Sequence, residues 1–281
     1  MRRAVIGFKN RIDDATLSGG SWQAPLANIQ NRRMAIRARS TDTLEASTKF
    51  DINFGQQQTI GIIGITGHNI SLNGSWRITA GTAAGLSDRY DSGVVESFPA
   101  VYASMSLPFE APNFWFGRLT EDERAEYNAC NAIETPIVRA QYWRIEIFDS
   151  GNADGFVEIG RVFIGSKFEP SKGFKVGATL GYNDNSQVLQ SLQGVEYFSE
   201  SPMSRTATLT APVMDKDEAF SGALEMIRQS GVTKEVMIIG DPDDAKEVLR
   251  QSFIGRLERL NPISQDAYDV NSLGLQIKEI I

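Results

Sequence analysis

Alternation of apolar and polar residues dominates the chain. Tyr142–Asp149 sets Trp143, Ile145 and Ile147 against Tyr142, Arg144, Glu146 and Phe148, which predicts a strand with one apolar and one mixed face. A polar turn follows at Asp149–Gly155, and Gly155–Gly165 repeats the alternation, so the pair reads as two adjacent strands. Phe50, Ile52 and Phe54 share a side of a strand that ends in a turn at Gly55. Thr59–Gly67 is an almost unbroken apolar run, the pattern of a strand buried on both faces, whose glycines let neighbours approach. Trp76 and Ile78 mark another strand, and Tyr90–Val95 a shorter one. Residues 1–40, broken by Asn10, Gly19, Gly20 and Pro25, read as an irregular arm with a single helical turn or short strand at Leu26–Asn31.

The pattern changes after Gly165. Strand-like pieces occur around Val176–Tyr182, Val188–Leu192 and Ser204–Pro212. A helix is predicted over 215–229, with Phe220, Leu224 and Ile227 as its core face and Gly231 just beyond its end. Glu235–Gly240 reads as a buried strand, Asp241–Asp244 as a turn leading into a helix at Ala245–Arg250, and Phe253–Leu257 and Leu273–Ile281 as closing strands. A helix opening at Thr120, with Glu123 three positions on, has the capping-box signature. The fold class is mainly β: an N-terminal jelly-roll β-sandwich over 1–165 and a smaller β-rich α+β domain over 166–281.

Composition narrows the chemistry. The 281 residues carry a net charge of -7, against the basic surface of a general nucleic-acid binder. Arg32, Arg33, Arg37 and Arg39 form a local basic cluster, read as a solvated or interface-lining loop. One cysteine, Cys130, excludes an intramolecular disulfide, and with one histidine, His68, the chain lacks the ligands of an ordinary zinc site. No apolar run is long enough for a membrane helix, and the N-terminal apolar run is short for a signal peptide.

No residue set has a catalytic look. Gly61–Gly67 lies inside a strand pattern, with no helix following to receive a phosphate. His68 beside Asn69 reads as a turn whose side chains bond the local backbone. Glu146, Asp149, Asp154 and Glu158 gather around one turn. Such carboxylates can run acid–base chemistry on a glycan or hold Ca²⁺, but strand-surface ion pairing, with Arg161 as a partner for Glu146, is their ordinary use. No cofactor and no metal is expected. The aromatic and proline-rich stretch Phe98–Phe116 suits an edge cover or partner contact. Trp22, Tyr102, Phe114 and Trp115 are the candidate glycan or partner contacts.

In order, Arg39-Ser40, Phe50–Gly55, Ile60–Asn69, Trp76–Ile78, Asp91–Gly93, Tyr142–Ile147 and Gly160–Gly165 resemble the galactose-binding-like, discoidin-type jelly-roll of tailed-bacteriophage tail proteins. Arg205–Thr210, the 215–229 helix and Val236–Asp241 resemble the hub domain of distal tail proteins. The resemblance implies a non-enzymatic structural component of a tail tip or baseplate. It would form a homo-oligomeric ring, with tail tube and hub proteins as partners, in a virion tail assembled in the bacterial cytoplasm. The alternative reading is a carbohydrate-binding module or adhesin for host surface glycans.

Overall fold

A computed structural model describes residues 3–103, 105–126, 129–175 and 177–281. The first half contains β1 (Val5–Phe8), β2 (Thr16–Ser18), β3 (Trp22–Ala24), β4 (Ala38–Ser40), the short helix α1 (Glu45–Thr48), β5 (Phe50–Thr66), β6 (Ser75–Gly81), β7 (Tyr90–Glu96), α2 (Glu121–Glu126), β8 (Cys130–Phe148), β9 (Glu158–Ile159) and β10 (Arg161–Phe168). The second half contains β11 (Thr179–Asn183), β12 (Gln187–Gln190), β13 (Glu196–Ser199), β14 (Ser204–Met214), α3 (Leu224–Ser230), β15 (Glu235–Ile239), α4 (Ala245–Gln251), β16 (Phe253–Leu257), β17 (Ser264–Ala267) and β18 (Val270–Glu279). The molecule is mainly β, and the strand pairs formed by the described residues are antiparallel.

Thirteen strands join in one hydrogen-bonded path, β11-β14-β18-β16-β15-β1-β10-β5-β8-β6-β7, with β17 on β18 and β2 on β5. A second, three-stranded sheet, β3-β4-β9, shares a core with the β10-β5-β8-β6 end of this path. Between them lies one core, built from Phe50, Ile52, Ile63, Ile65, Trp76, Ile78, Trp143, Ile145 and Ile147 on one side and Ala38 and Ile159 on the other. Alternation in β8 works as the sequence predicts: Trp143, Ile145 and Ile147 are buried while their neighbours are half open. A second core holds Leu209, Met226, Ile238, Phe253, Leu273 and Leu275. Residue 165 lies within β10, which runs on to Phe168.

Four expectations are corrected. Residues 1–40 are not an irregular arm. Ile6 pairs with Phe168 on one side and Ile238 on the other, so β1 bridges the two halves, and Leu26–Gln30 is a 3-10 turn. β1 is held by strands more than 150 residues away, beyond the reach of a local pattern, while β2, β3 and β4 pair with β5, β4 and β9. β5 does not turn at Gly55 but passes straight through it. Gly55 has φ +72° and the register with β8 shifts between Asn53 and Gln58, the mark of a bulge.

Third, Tyr142–Asp149 and Gly155–Gly165 are not paired with one another. The chain crosses layers: β9 joins β4, and β10 joins β5 and β1. Arg161 pairs with Glu235 and Asp13 instead of Glu146, which lies opposite Arg77 on β6. Fourth, of the face expected to turn inward on the 215–229 helix, Ile227 is buried but Phe220 and Leu224 are not. Its first turns, Glu218–Ala223, are a π-helix. That wider turn rotates Phe220 and Leu224 into solvent and places Ala219, Ala223, Met226 and Ile227 on the core. Gly231 ends the helix with φ +54°. Tyr127 and Asn128 of the predicted first helix, and Val176 of the predicted strand, lie outside the described residues.

Glycines make the seam around β1 close. A Cβ on Gly7 would stand 2.5 Å from Ile62 Cγ2 and 2.8 Å from Phe163 Cε1, and one on Gly64 would overlap Met237 Cε. The glycines of β5 thus admit side chains as much as backbone.

Candidate binding surfaces

The carboxylates around residues 146–158 are committed to structure. Asp149 accepts from Ser71 N (2.8 Å), Ser71 Oγ (2.5 Å) and Asn152 Nδ2 (2.8 Å), which closes the 149–155 turn against the loop after β5. Asp154 accepts from Asn69 Nδ2 at 2.8 Å. Glu158 is gripped by Arg39 (2.8 and 2.5 Å) and Arg37 (3.1 Å). Glu146 lies 3.7 Å from Arg77. Among the described residues, no three His, Cys, Asp or Glu side chains gather as metal ligands.

His68 and Cys130 are kept uncharged by their surroundings. Ile70 N donates to His68 Nδ1 at 3.3 Å, so the turn is bonded locally as the sequence suggests. Burial, followed by the charges of Arg124 and Arg37, pushes the imidazole pKa down to about 3. Burial pushes the Cys130 thiol up to about 12, which keeps it a protonated, inert side chain at neutral pH.

The largest buried ion cluster latches the halves together. Arg161 is fully buried and bonds Glu235 through Nε (3.0 Å to both carboxylate oxygens) and Nη2 (2.8 Å). Its remaining donors reach Ile29 O at 3.0 Å and Asp13 at 2.6 Å. Asn10 adds a bond to Glu235 (3.1 Å) and takes the Ile164 N–H (3.1 Å). Arg205 and Glu279 form a second buried pair at 2.6 Å. A crevice of about 510 Å³ runs along the seam past Glu96, Asn131, Glu134 and Asp243. Its carboxylates are spoken for: Glu96 pairs with Arg118, Glu134 with Arg3 and Lys167, and Asp243 with Arg3.

Of the four candidate aromatic contacts, the structure brings two together. Phe114 and Trp115 lie 5.1 Å apart edge-to-face, and Phe109 packs on both, at 5.3 and 6.1 Å. This cluster sits on the long connection between β7 and β8. Trp115 is 75% exposed, and Phe109, Phe116 and Met105 are comparably open. Turn bonds set the loop: Ala111 N donates to Pro108 O, Phe114 N to Ala111 O and Gly117 N to Asn113 O, while Asn113 Nδ2 holds Arg118 O. Loop closure, not a core, therefore holds the rings in the open. Phe109 and Phe116 join the candidate surface. The dense Phe98–Phe116 stretch was the sequence signal for them.

The other two candidates lie apart from this cluster. Trp22 packs edge-on against Phe50 at 5.8 Å, and its indole N–H donates to Gly19 O at 3.0 Å. Tyr102 donates its hydroxyl to Glu123, beneath the guanidinium of Arg250 at 5.6 Å. Both rings are half-buried and serve packing. Thr120 and Glu123 form the predicted capping box, with Thr120 N donating to Glu123 at 2.7 Å and Glu123 N to Thr120 Oγ1 at 3.3 Å.

A second apolar surface lies in the C-terminal half. Among the described residues, β12 and β13 form a hairpin that pairs with no other strand. Val188 pairs with Phe198 and Leu189 with Tyr197, so each face carries an apolar pair, and all four side chains are exposed. Leu192 at the tip is fully open.

No family model matches the chain, and no curated protein matches it. Among solved structures it is similar to the family 32 carbohydrate-binding module of Clostridium perfringens NanJ in complex with galactose (14% identity, 57% of this chain, 98% of that one, TM-score 0.35). The lectin domain of Lectinolysin complexed with Lewis B antigen is similar at 8% identity, over 56% of this chain and 95% of that one, with TM-score 0.35. A family 89 glycoside hydrolase from Clostridium perfringens is similar at 12% identity over 55% of this chain, with TM-score 0.36. The chain spans 14% to 28% of the length of the glycoside hydrolases it matches. The named structures are carbohydrate-binding and glycan-cleaving proteins, and they lend nothing to the tail-tip resemblance. At these identities and TM-scores a shared function does not follow.

Proposed function

We propose that the protein is a non-catalytic glycan-binding module that stacks sugar rings on the exposed aromatic loop at 109–116. One observation carries this reading: Trp115 stands open to solvent, flanked by Phe109 and Phe114 at edge-to-face distances. Flat apolar rings held without a covering core suit the C–H faces of a pyranose, and ring stacking costs little side-chain entropy when neighbours already fix the ring. The non-catalytic part is supported by the carboxylates around residues 146–158, which are engaged with Arg, Asn, Ser or backbone partners, and by His68, which is held neutral. A glycan array with the purified full chain tests it. Binding of at least one glycan family, lost in Trp115→Ala and kept in Trp22→Phe, is the expected result. A blank array, or equal binding by Trp115→Ala, rejects it.

The second reading is a structural subunit of a bacteriophage tail tip or baseplate, located in the virion tail and assembled with tube and hub proteins. The exposed two-faced hairpin of β12 and β13 favours it, because apolar side chains on both faces call for neighbours on both sides. Electron cryo-microscopy of a particle produced with this chain decides it. Density for the fold at the tail end supports it, and particles without the chain reject it.

A further inference from the structure

The crevice at the seam combines an apolar lining with buried polar atoms that have no partner. Val95 and Pro99 come from the end of β7 and the segment after it, Ile133 from β8, Ile239 from β15, and Val248 and Leu249 from α4. At about 510 Å³ it falls in the size range of small-molecule sites. β7 and β8 belong to the first half of the chain and β15 and α4 to the second, so an occupant touches both.

Ser97 is 2% exposed and Asn131 5%, and both line the crevice. Among the described residues, Ser97 Oγ and Asn131 Nδ2 have no hydrogen-bond partner. Buried polar groups are ordinarily paired. The hydroxyls of Thr48 and Thr66 follow that rule, donating to Ile147 O at 2.7 Å and Ala129 O at 3.2 Å. Thr135, Ser230 and Ser252 also carry unpartnered hydroxyls, but none of them lines the crevice. The Asn131 amide has two polar ends, and the His68 ring beside it can use one. Ile70 N donates to His68 Nδ1, so the neutral ring keeps its proton on Nε2 and calls for the amide oxygen. The amide nitrogen is left over as a donor. Glu96, Glu134 and Asp243 are the charged residues of the lining, and their partners Arg118, Arg3 and Lys167 are not part of it. Carboxylates without cations in the lining disfavour an anion, and donors on the buried residues disfavour a cation.

We propose that the seam crevice binds a small, uncharged, largely apolar molecule whose carbonyl or hydroxyl oxygen accepts from Asn131 Nδ2 and Ser97 Oγ. The apolar lining takes the body of the ligand, and the two buried groups fix its orientation by gaining the partner they lack. Because residues of both halves line the site, binding strengthens their junction by mass action. The site uses none of the rings at 109–116, so it stands or falls apart from the glycan reading.

The probe is prodan, an uncharged naphthalene ketone whose emission moves to the blue when it leaves water, titrated into the purified full chain. Expected is saturable binding at unit stoichiometry, with a raised thermal transition. Ala245→Trp, at an exposed position of α4 that lines the crevice, abolishes it. Ser97→Ala and Asn131→Leu each weaken it about fivefold. The ligand-free Ser97→Ala protein meanwhile unfolds at the same or a higher urea concentration, because the change deletes an unpartnered buried group. A serine with a purely structural role gives the reverse: lower stability and unchanged affinity. Dimethylaminonaphthalene, the same rings without the ketone, competes about fivefold less well. Anilinonaphthalene sulfonate, an anion, does not displace prodan, and Phe198→Ala leaves its binding unchanged. Absence of saturable binding overturns the proposal. So does a prodan response that survives Ala245→Trp, that yields to Trp115→Ala or Phe198→Ala instead, or that is indifferent to Ser97→Ala. If Asn131→Leu fails to fold, Ser97→Ala decides.

Discussion

Phe50 and Phe198 are both strand phenylalanines with an apolar cross-strand neighbour, Ile145 for one and Val188 for the other. Phe50 is wholly buried beneath the small sheet, whereas Phe198 faces solvent. The difference lies in the layer above. In the first half β3, β4 and β9 lie over the main sheet, so alternation has an inside and an outside. No such layer covers β12 and β13, and each face is an outside. Identical local pattern thus produces a core in one place and an exposed apolar surface in the other.

The sharpest break of the comparison is at the latch between the halves. Arg161→Met strands the buried Glu235 carboxylate, and chemical denaturation is expected to show a loss of about 3–5 kcal/mol. Adding Glu235→Leu recovers most of it, because the cost is the unpaired charge. An equal loss in the double variant means the latch works through packing alone. The paired phenylalanines come next. Phe50→Ala is expected to cost about 3–5 kcal/mol, while Phe198→Ala stays within about 0.5 kcal/mol in unfolding of the monomer. A large effect of Phe198→Ala on the monomer would mean that the hairpin has an intramolecular cover.

His68 offers a pH test of the buried region. Its native pKa of about 3 lies below the unfolded value of 6.5, so the unfolded chain takes up the proton that the native ring refuses. The stabilisation is complete above pH 6.5 and is lost as pH falls toward 3, roughly 2 kcal/mol between about pH 7 and pH 5. His68→Gln removes that slope, measurable as parallel urea curves at the two pH values. Smallest is Trp115→Ala, expected to leave stability within about 0.5 kcal/mol while abolishing glycan capture, since its ring is largely exposed and packs edge-on against the loop rings Phe109 and Phe114.

Much of the sandwich was legible because its strands are long and one-sided. Trp143, Ile145, Ile147, Trp76 and Ile78 alternate in sequence and are buried in the structure. Local caps were legible as well: the Thr120 capping box, Asp244 accepting Lys246 N at 3.0 Å, and Gly231. What escaped is non-local. Val5–Phe8 looks like a short apolar scrap until Ile239 and Phe168 flank it. Arg161 gave no hint of Glu235, 74 residues on. A π-helix leaves no mark in a heptad-like reading, so Phe220 and Leu224 were assigned inward. The aromatic loop was visible as composition, but which rings would be open was decided by turns at Pro108, Ala111 and Asn113.

β1 has a consequence for biosynthesis. Its partners on one side are Met237, Ile238 and Ile239, so a ribosome must travel more than 200 residues past Phe8 before that edge can close. During this interval the growing chain carries an open strand flank beside β10, the kind of edge that invites wrong pairing. Emergence of β15, rather than completion of the sandwich, is the event that seals the molecule's middle.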